Sequence, residues 1–148
     1  MKYWLAALAL VLLSIGSSGC RKTQASELTG TWVLNSGSRG RIPTPLRQCS
    51  PRVILNPDGT FQAFELPGYF STDELPAKLD SGKGTWTLRN MEGGEVIQLN
   101  FDSITSGSTE LPVPYGNQLW ISRWPSVSLD YSVGGPDTGL RMEFERQR

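Results

Sequence analysis

The segment RVILNPDGTFQAFEL, residues 52–66, decides the fold class of this chain. Apolar residues recur at short intervals on both sides of Asn56-Pro57-Asp58-Gly59, as expected for two half-buried β-strands. The proline of that central turn presets φ, and its glycine can adopt a positive φ. The sequence therefore predicts an antiparallel hairpin in which Arg52 to Asn56 pairs with Thr60 to Leu66.

The stretch from Leu28 to Leu34 precedes the hairpin and alternates in the same way. Leu28, Trp32 and Leu34 fall on one face, which predicts a first strand with one face in the core. Its Gly-Thr-Trp recurs at Gly84-Thr85-Trp86, so we expect Trp32 and Trp86 to be structural core residues. The polar residues 36–51 are expected to form a long loop.

The chain after the hairpin repeats the strand pattern. Further strands are predicted at residues 84–89, 95–101, 118–124, 127–133 and 140–145. Residues 67–82 interrupt the pattern, and a short helical turn is expected within residues 72–79. The fold class predicted is all-β, a single antiparallel meander of about eight strands that closes into a barrel or sandwich.

Composition excludes several classes of function. The chain has no histidine, which excludes Ser-His-Asp, Cys-His and His-ligated zinc chemistry. It has 14 basic and 14 acidic residues, and removal of Lys2 with a leader leaves 13 against 14, a net charge of about −1. A nucleic-acid binder would show a basic excess, so none is expected as a partner. No phosphate loop, dinucleotide fingerprint or metal cluster is present, so neither a cofactor nor a metal is expected.

The first residues have the layout of a secretory signal. Lys2 supplies a positive start, Leu5 to Leu13 is an apolar run, and small residues follow. This run is too short to span a bilayer stably. We therefore assign residues 1–19 to a signal peptide.

Ser17-Ser18-Gly19-Cys20 resembles the lipobox of bacterial lipoproteins. The resemblance implies cleavage before Cys20, addition of a diacylglyceryl group and an N-acyl chain such as palmitate to this residue, and anchoring to a membrane. Residues 20–27 would then be the lipidated cysteine and its tether, and residues 28–148 the folded domain. Arg21 favours the outer membrane, facing the periplasm, over the inner membrane of the bacterial cell envelope. The alternative is ordinary signal cleavage near Ser18 or Gly19.

Cys20 and Cys49 are the two cysteines of the chain. Lipidation of Cys20 excludes a disulfide between them, although an oxidising compartment would otherwise favour one. Cys49 is then a lone thiol, and we interpret it as a small buried apolar residue.

The motifs of the domain resemble those of small bacterial lipocalin-like proteins. The residues concerned are Gly30-Thr31-Trp32, Asp58 to Phe61, the second Gly-Thr-Trp and the final Phe144-Glu145-Arg146. The resemblance implies a small lipocalin-like barrel in which Trp32 packs at the closed end beneath a late arginine, Arg141 or Arg146.

An eight-stranded barrel is either filled by its own side chains or holds one small ligand. The modest apolar fraction of 38% favours a filled barrel with its function in the long loops. We expect a non-catalytic binding module for another envelope component, with Tyr69, Phe70 and Trp124 as contact residues at the barrel mouth. The alternatives are a carrier of a small hydrophobic ligand and a hydrolase.

A hydrolase would use loop carboxylates, and the candidates are the pairs Asp73-Glu74 and Glu92-Glu95. Solvated loop charges explain both pairs more simply. We therefore predict no catalytic residues and do not expect an enzyme.

Overall fold

The structure, a computed structural model, describes residues 22–73, 75–135, 137 and 140–148. The predicted signal peptide, the lipidation site Cys20, Arg21 and Glu74 lie outside these residues. The described chain forms strands β1 Gly30–Leu34, β2 Arg52–Leu55, β3 Thr60–Pro67, β4 Leu79–Met91, β5 Gly94–Ser106, β6 Thr109–Glu110, β7 Tyr115–Ser122, β8 Ser128–Ser132 and β9 Arg141–Arg146. It also forms one short helix, α1, Ser36–Arg39, and 3₁₀ turns at Ala25–Glu27 and Thr44–Leu46. None of these helical segments has the length and apolar character needed to cross a membrane.

Eight of the strands close into an antiparallel barrel. The hydrogen-bonded order is β1-β2-β3-β4-β5-β7-β8-β9, and β9 returns to pair with β1. Strand β6 pairs only with the end of β5 and stays outside the ring. Closure leaves the ring without a free sheet edge. The all-β fold class is confirmed, and the architecture is consistent with a small lipocalin-like barrel.

The hairpin of β2 and β3 forms as predicted from its turn. Gly59 adopts a φ of +82°. The Asp58 carboxylate accepts hydrogen bonds from the Thr60 backbone N–H at 2.9 Å and from its hydroxyl at 2.7 Å. The Asp58 side chain thus stabilises the turn by bonding to the residue two positions later in the sequence.

Two loop predictions need correction. Residues 36–51 contain α1, whose Asn35 side chain caps the helix by accepting the Ser38 N–H at 2.8 Å. The helical turn expected within residues 72–79 is wrong for the described residues there, which are irregular up to Leu79. Strand β4 begins at Leu79, five residues earlier than predicted, because β3 and β5 supply backbone partners on both sides of Asp80.

Trp32 occupies the core at one end of the barrel and is 1% exposed. Its indole N–H donates to the Leu28 carbonyl at 2.9 Å. The guanidinium of Arg146, rather than that of Arg141, lies 5.2 Å from the centre of the Trp32 ring system. Trp86 is also buried, and its indole N–H donates to the Asn56 carbonyl at 3.0 Å.

Packed aromatic rings fill much of the barrel interior. Phe61 meets Phe101 edge to face with ring centres 4.8 Å apart, and Tyr69 meets Tyr131 at the same distance. Cys49 is buried beside this core, as its interpretation as a small apolar residue predicted. Burial raises the pKa of the Cys49 thiol, and the Glu65 carboxylate adds to the rise. Side chains therefore occupy much of the barrel interior.

The two ends of the barrel differ because the connections of an antiparallel meander alternate between them. One end, which we call the loop end, carries the described residues of the connections 35–51, 68–78, 107–114 and 133–140. The other, which we call the turn end, carries residues 56–59, 92–93 and 123–127 together with the N-terminal segment 22–29. Candidate functional residues lie at both ends.

Candidate functional site

A packed pair of aromatic side chains, one half-buried and one exposed, lies at the loop end. The rings of Phe70 and Tyr115 meet edge to face with centres 5.3 Å apart. Phe70 is half-buried, whereas Tyr115 is 48% exposed. Leu75 and Val113, on the loops that border this pair, are also exposed. Apolar side chains are thus concentrated among the connections of a single barrel end, which is where a recognition surface is expected.

A pocket of about 270 Å³ opens beside Phe70 and Leu111. Asp80 lies in its wall and is only 1% exposed. One carboxylate oxygen, Oδ2, accepts the backbone N–H of Phe70 at 2.9 Å. The other, Oδ1, is buried and has no hydrogen-bond partner among the described residues. An unpaired buried acceptor is costly, so a group that donates a hydrogen bond is favoured at this position.

Tyr69 does not take the surface position expected of it. It is only 5% exposed, and its hydroxyl donates to the Gln118 carbonyl at 3.1 Å. Burial raises the pKa of Tyr69 well above its ordinary value, with the neighbouring Tyr115 adding to the rise. The turn at Gly68 directs this ring into the barrel, where it completes the aromatic core. Tyr69 therefore cannot act as an exposed anchor, while Phe70 can be reached from the pocket.

Trp124 lies at the opposite end from Phe70, which corrects the expectation that both face one mouth. It belongs to the connection of β7 and β8 at the turn end and is 88% exposed. The predicted order of strands already implies that the two residues lie at opposite ends. Phe70 follows the third strand and Trp124 the sixth, and connections after odd and even strands of a meander fall at opposite ends.

A polar groove of about 310 Å³ runs along the outer wall between α1 and strands β8 and β9. Two carboxylates line it. Asp130 accepts bonds from Arg141 Nη2 at 2.5 Å and Nε at 3.0 Å, and Glu143 accepts one from the Asn35 amide at 3.0 Å. Burial raises the pKa of Asp130, which Arg141 partly offsets. Since both carboxylates already have protein partners, we interpret the groove as the network that fixes α1 to the wall.

This groove was not predicted from the sequence, although its charged residues follow a recognisable pattern. Asp130, Arg141 and Glu143 fall on the outward positions of two strands predicted to be neighbours along the chain. Pairing of such strands brings outward side chains together, but charged outward residues are also the ordinary appearance of a solvated strand.

The acid pairs considered for hydrolysis do not form a cleft among the described residues. Asp73 and Glu92 are exposed, and Glu74 lies outside the described chain. Glu95 is instead part of an ion pair with Arg123. The described residues also contain no group of three or more carboxylate, thiol or imidazole side chains arranged to hold a metal ion.

Thr23, Glu95 and Arg123 form a cluster at the turn end. The Thr23 backbone N–H donates to Glu95 Oε1 at 3.0 Å, and its hydroxyl donates to Oε2. Arg123 donates to both the Thr23 hydroxyl and the Glu95 carboxylate. Burial pushes the pKa of Glu95 upward, but these hydrogen bonds outweigh it and leave the pKa below its ordinary value. The cluster fixes the start of the described chain to the β7–β8 connection.

Comparison of the chain with models of protein families, with curated proteins and with solved structures gives no match.

Proposed function

We propose that this protein is a bacterial envelope lipoprotein whose barrel is a non-catalytic binding module, and that its loop end contacts another envelope protein. The observation that carries the proposal is the packed pair of half-buried Phe70 and exposed Tyr115, flanked by exposed Leu75 and Val113. Aromatic side chains with a polar tip provide large contact area at low entropic cost and are enriched at interfaces. The pair is already packed, so little ordering is needed on binding.

The filled interior favours binding at the protein surface over carriage of a ligand inside the barrel. Large core side chains such as Trp32, Phe61, Phe101 and Phe144 are fully buried. An apolar ligand of ordinary size needs a cavity of several hundred cubic ångströms, and this space is taken by the aromatic core. The loop end therefore offers the better contact surface.

Attachment to the membrane is the second part of the proposal. The resemblance of residues 17–20 to a lipobox implies a lipid on Cys20. This lipid would hold the domain at the outer membrane on its periplasmic side. Each buried methylene contributes about 0.8 kcal/mol, and two or more acyl chains give durable anchoring. This anchoring requires no membrane-spanning segment.

Cys20→Ala is expected to abolish lipid attachment, because the thiol that accepts the diacylglyceryl group is lost. The variant should remain unprocessed by the lipoprotein signal peptidase, keep the mass of its leader and incorporate no labelled palmitate. Ser17→Ala serves as a control, since it changes the same segment without removing the thiol. Labelled palmitate in Cys20→Ala at the wild-type level would refute lipidation at this residue.

Loss of the exposed apolar contacts is expected to reduce partner binding without unfolding the barrel. The double variant Val113→Ala/Tyr115→Ala should lower recovery of crosslinked partners from membranes about tenfold or more, as the removal of an interface anchor does. Met91→Ala is the matched control, because Met91 is similarly exposed but lies at the turn end. The two proteins should have equal circular dichroism spectra. Equal recovery of the same partners by both would contradict the assignment of the loop end.

A second candidate function rests on Asp80. Its unpaired Oδ1, beside the apolar surfaces of Phe70 and Leu111, suits a small molecule that combines an apolar body with a hydrogen-bond donor. A small molecule retained in stoichiometric amount in native mass spectra, and lost in Asp80→Asn, would replace the protein-binding proposal by this carrier function.

A further inference from the structure

We propose that the turn end is a membrane-contacting surface, in which Trp124 enters the interfacial region of the bilayer that holds the lipidated N-terminus. This inference rests on the lipidation of Cys20 proposed above. It adds an orientation: the turn end faces the membrane and the loop end faces away from it.

A lipid on Cys20 can lie only a short distance from the folded domain. Thr23 is fixed to Glu95 and Arg123 by its backbone and its side chain. Two residues, Arg21 and Lys22, separate Thr23 from Cys20, and the three Cα–Cα steps between them span at most about 11 Å in any conformation. The headgroup region of a bilayer is itself several ångströms thick. A lipid on Cys20 would therefore bring the turn end against the headgroups, with no room for a flexible spacer.

The turn end presents an exposed tryptophan at that position. Trp124 directly follows Arg123, which belongs to the cluster that holds Thr23. Its indole is 88% exposed, and Val127 in the same connection is exposed as well. Single exposed apolar residues are common on protein surfaces and need no explanation by themselves. Here the large apolar side chain that is most exposed among the described residues lies beside the point where the anchored segment begins. Tryptophan also favours the membrane–water interface.

Charge near this connection also fits a headgroup layer. A groove of about 580 Å³ lies between Val127 and the end of β9, with Arg146 and Arg148 in its lining. Glu145 lines the same groove. Arg146 is occupied by the carbonyls of Glu27 and Thr29, whereas Arg148 is exposed at the chain end. Long basic side chains keep apolar stems in the interface while their charges remain at phosphate level.

In this orientation the two ends of the barrel have different functions. The barrel is closed and its strands run between the ends, so a turn end held to the membrane leaves the loop end directed into the aqueous compartment. The Phe70–Tyr115 pair is then presented to proteins rather than to lipid. This arrangement explains why exposed apolar residues occur at both ends of a protein whose barrel interior is filled.

Depth-dependent fluorescence quenching tests the inference on the full lipidated protein. The protein, reconstituted into vesicles of phosphatidylethanolamine and phosphatidylglycerol, is compared with and without bromine on the acyl chains. Brominated acyl chains should reduce the tryptophan emission of wild type clearly more than that of Trp124→Phe. The difference should correspond to at least half of the Trp124 emission. In the double variant Trp124→Phe/Tyr115→Trp, the fourth indole of the domain lies at the loop end instead of the turn end. It should show no quenching beyond that of Trp124→Phe.

The outcomes separate this inference from the proposed function. The mass of the N-terminal peptide first shows whether Cys20 carries lipid. If it does, equal quenching of wild type and Trp124→Phe overturns the inference and leaves the lipoprotein assignment intact. Strong quenching of the indole placed at position 115 also overturns it. If Cys20 carries no lipid, the lipoprotein assignment and the orientation are both refuted.

Discussion

Trp32→Ala is expected to lower the free energy of unfolding by about 3 to 5 kcal/mol, a large part of the stability of a domain this size. Trp32 is 1% exposed, so the space that its indole would leave is enclosed by other core residues. Its removal also frees the Leu28 carbonyl and deprives the Arg146 guanidinium of its ring partner. A cavity and an unpaired buried acceptor then add to the lost apolar burial.

The matched control for this substitution is Trp124→Ala. The same atoms are removed, but the side chain is 88% exposed, so the free energy of unfolding should change by no more than about 0.5 kcal/mol. Urea denaturation followed by far-ultraviolet circular dichroism measures both. Equal midpoints for wild type and Trp32→Ala would show that Trp32 does not close the core.

Gly84→Ala is expected to destabilise the barrel by about 1 to 3 kcal/mol or more, through a clash that no rotamer change can relieve. A Cβ on Gly84 would lie 1.9 Å from the Asn100 carbonyl oxygen. That atom belongs to the backbone of β5, so the two strands must separate locally. The position is also where the β4–β5 register shifts between Lys83 and Gly84. Bulges of this kind commonly involve glycine because the backbones approach closely.

Gly37→Ala is the control for the same chemical change. Gly37 lies in α1, and an added Cβ there would meet its nearest neighbour at an ordinary 3.7 Å. Alanine favours a helix over glycine, so stability should be unchanged or increase by up to about 1 kcal/mol. Thermal melting of the two variants in parallel compares them. A melting temperature of Gly84→Ala equal to that of Gly37→Ala would contradict the close approach of β4 and β5.

The candidate site was predicted in part. The break after Pro67 correctly indicated that a strand ends there and that Phe70 lies in the connection that follows. The roles within the pair Tyr69 and Phe70 could not be assigned from the pattern. Adjacent residues of an irregular turn have no fixed alternation, so which ring enters the core depends on the space left by Phe101 and Tyr131. The buried Asp80 was missed because it was expected to lie in a loop.

The sequence by itself determined the strand regions of the barrel, its most regular hairpin and the alternation of its connections. These features follow from local periodicity and from turn chemistry within a few residues, as at Asn56 to Gly59. Only the tertiary structure decided that Arg146 covers Trp32, that Asp80 is buried with one oxygen unpaired, and that Thr23 is held beside Trp124. Each of these features depends on residues brought together by strand pairing. Trp32 lies opposite Arg146 in the register between β1 and β9, and Asp80 lies between Leu66 of β3 and Ser106 of β5. A period of two along a strand does not specify such registers.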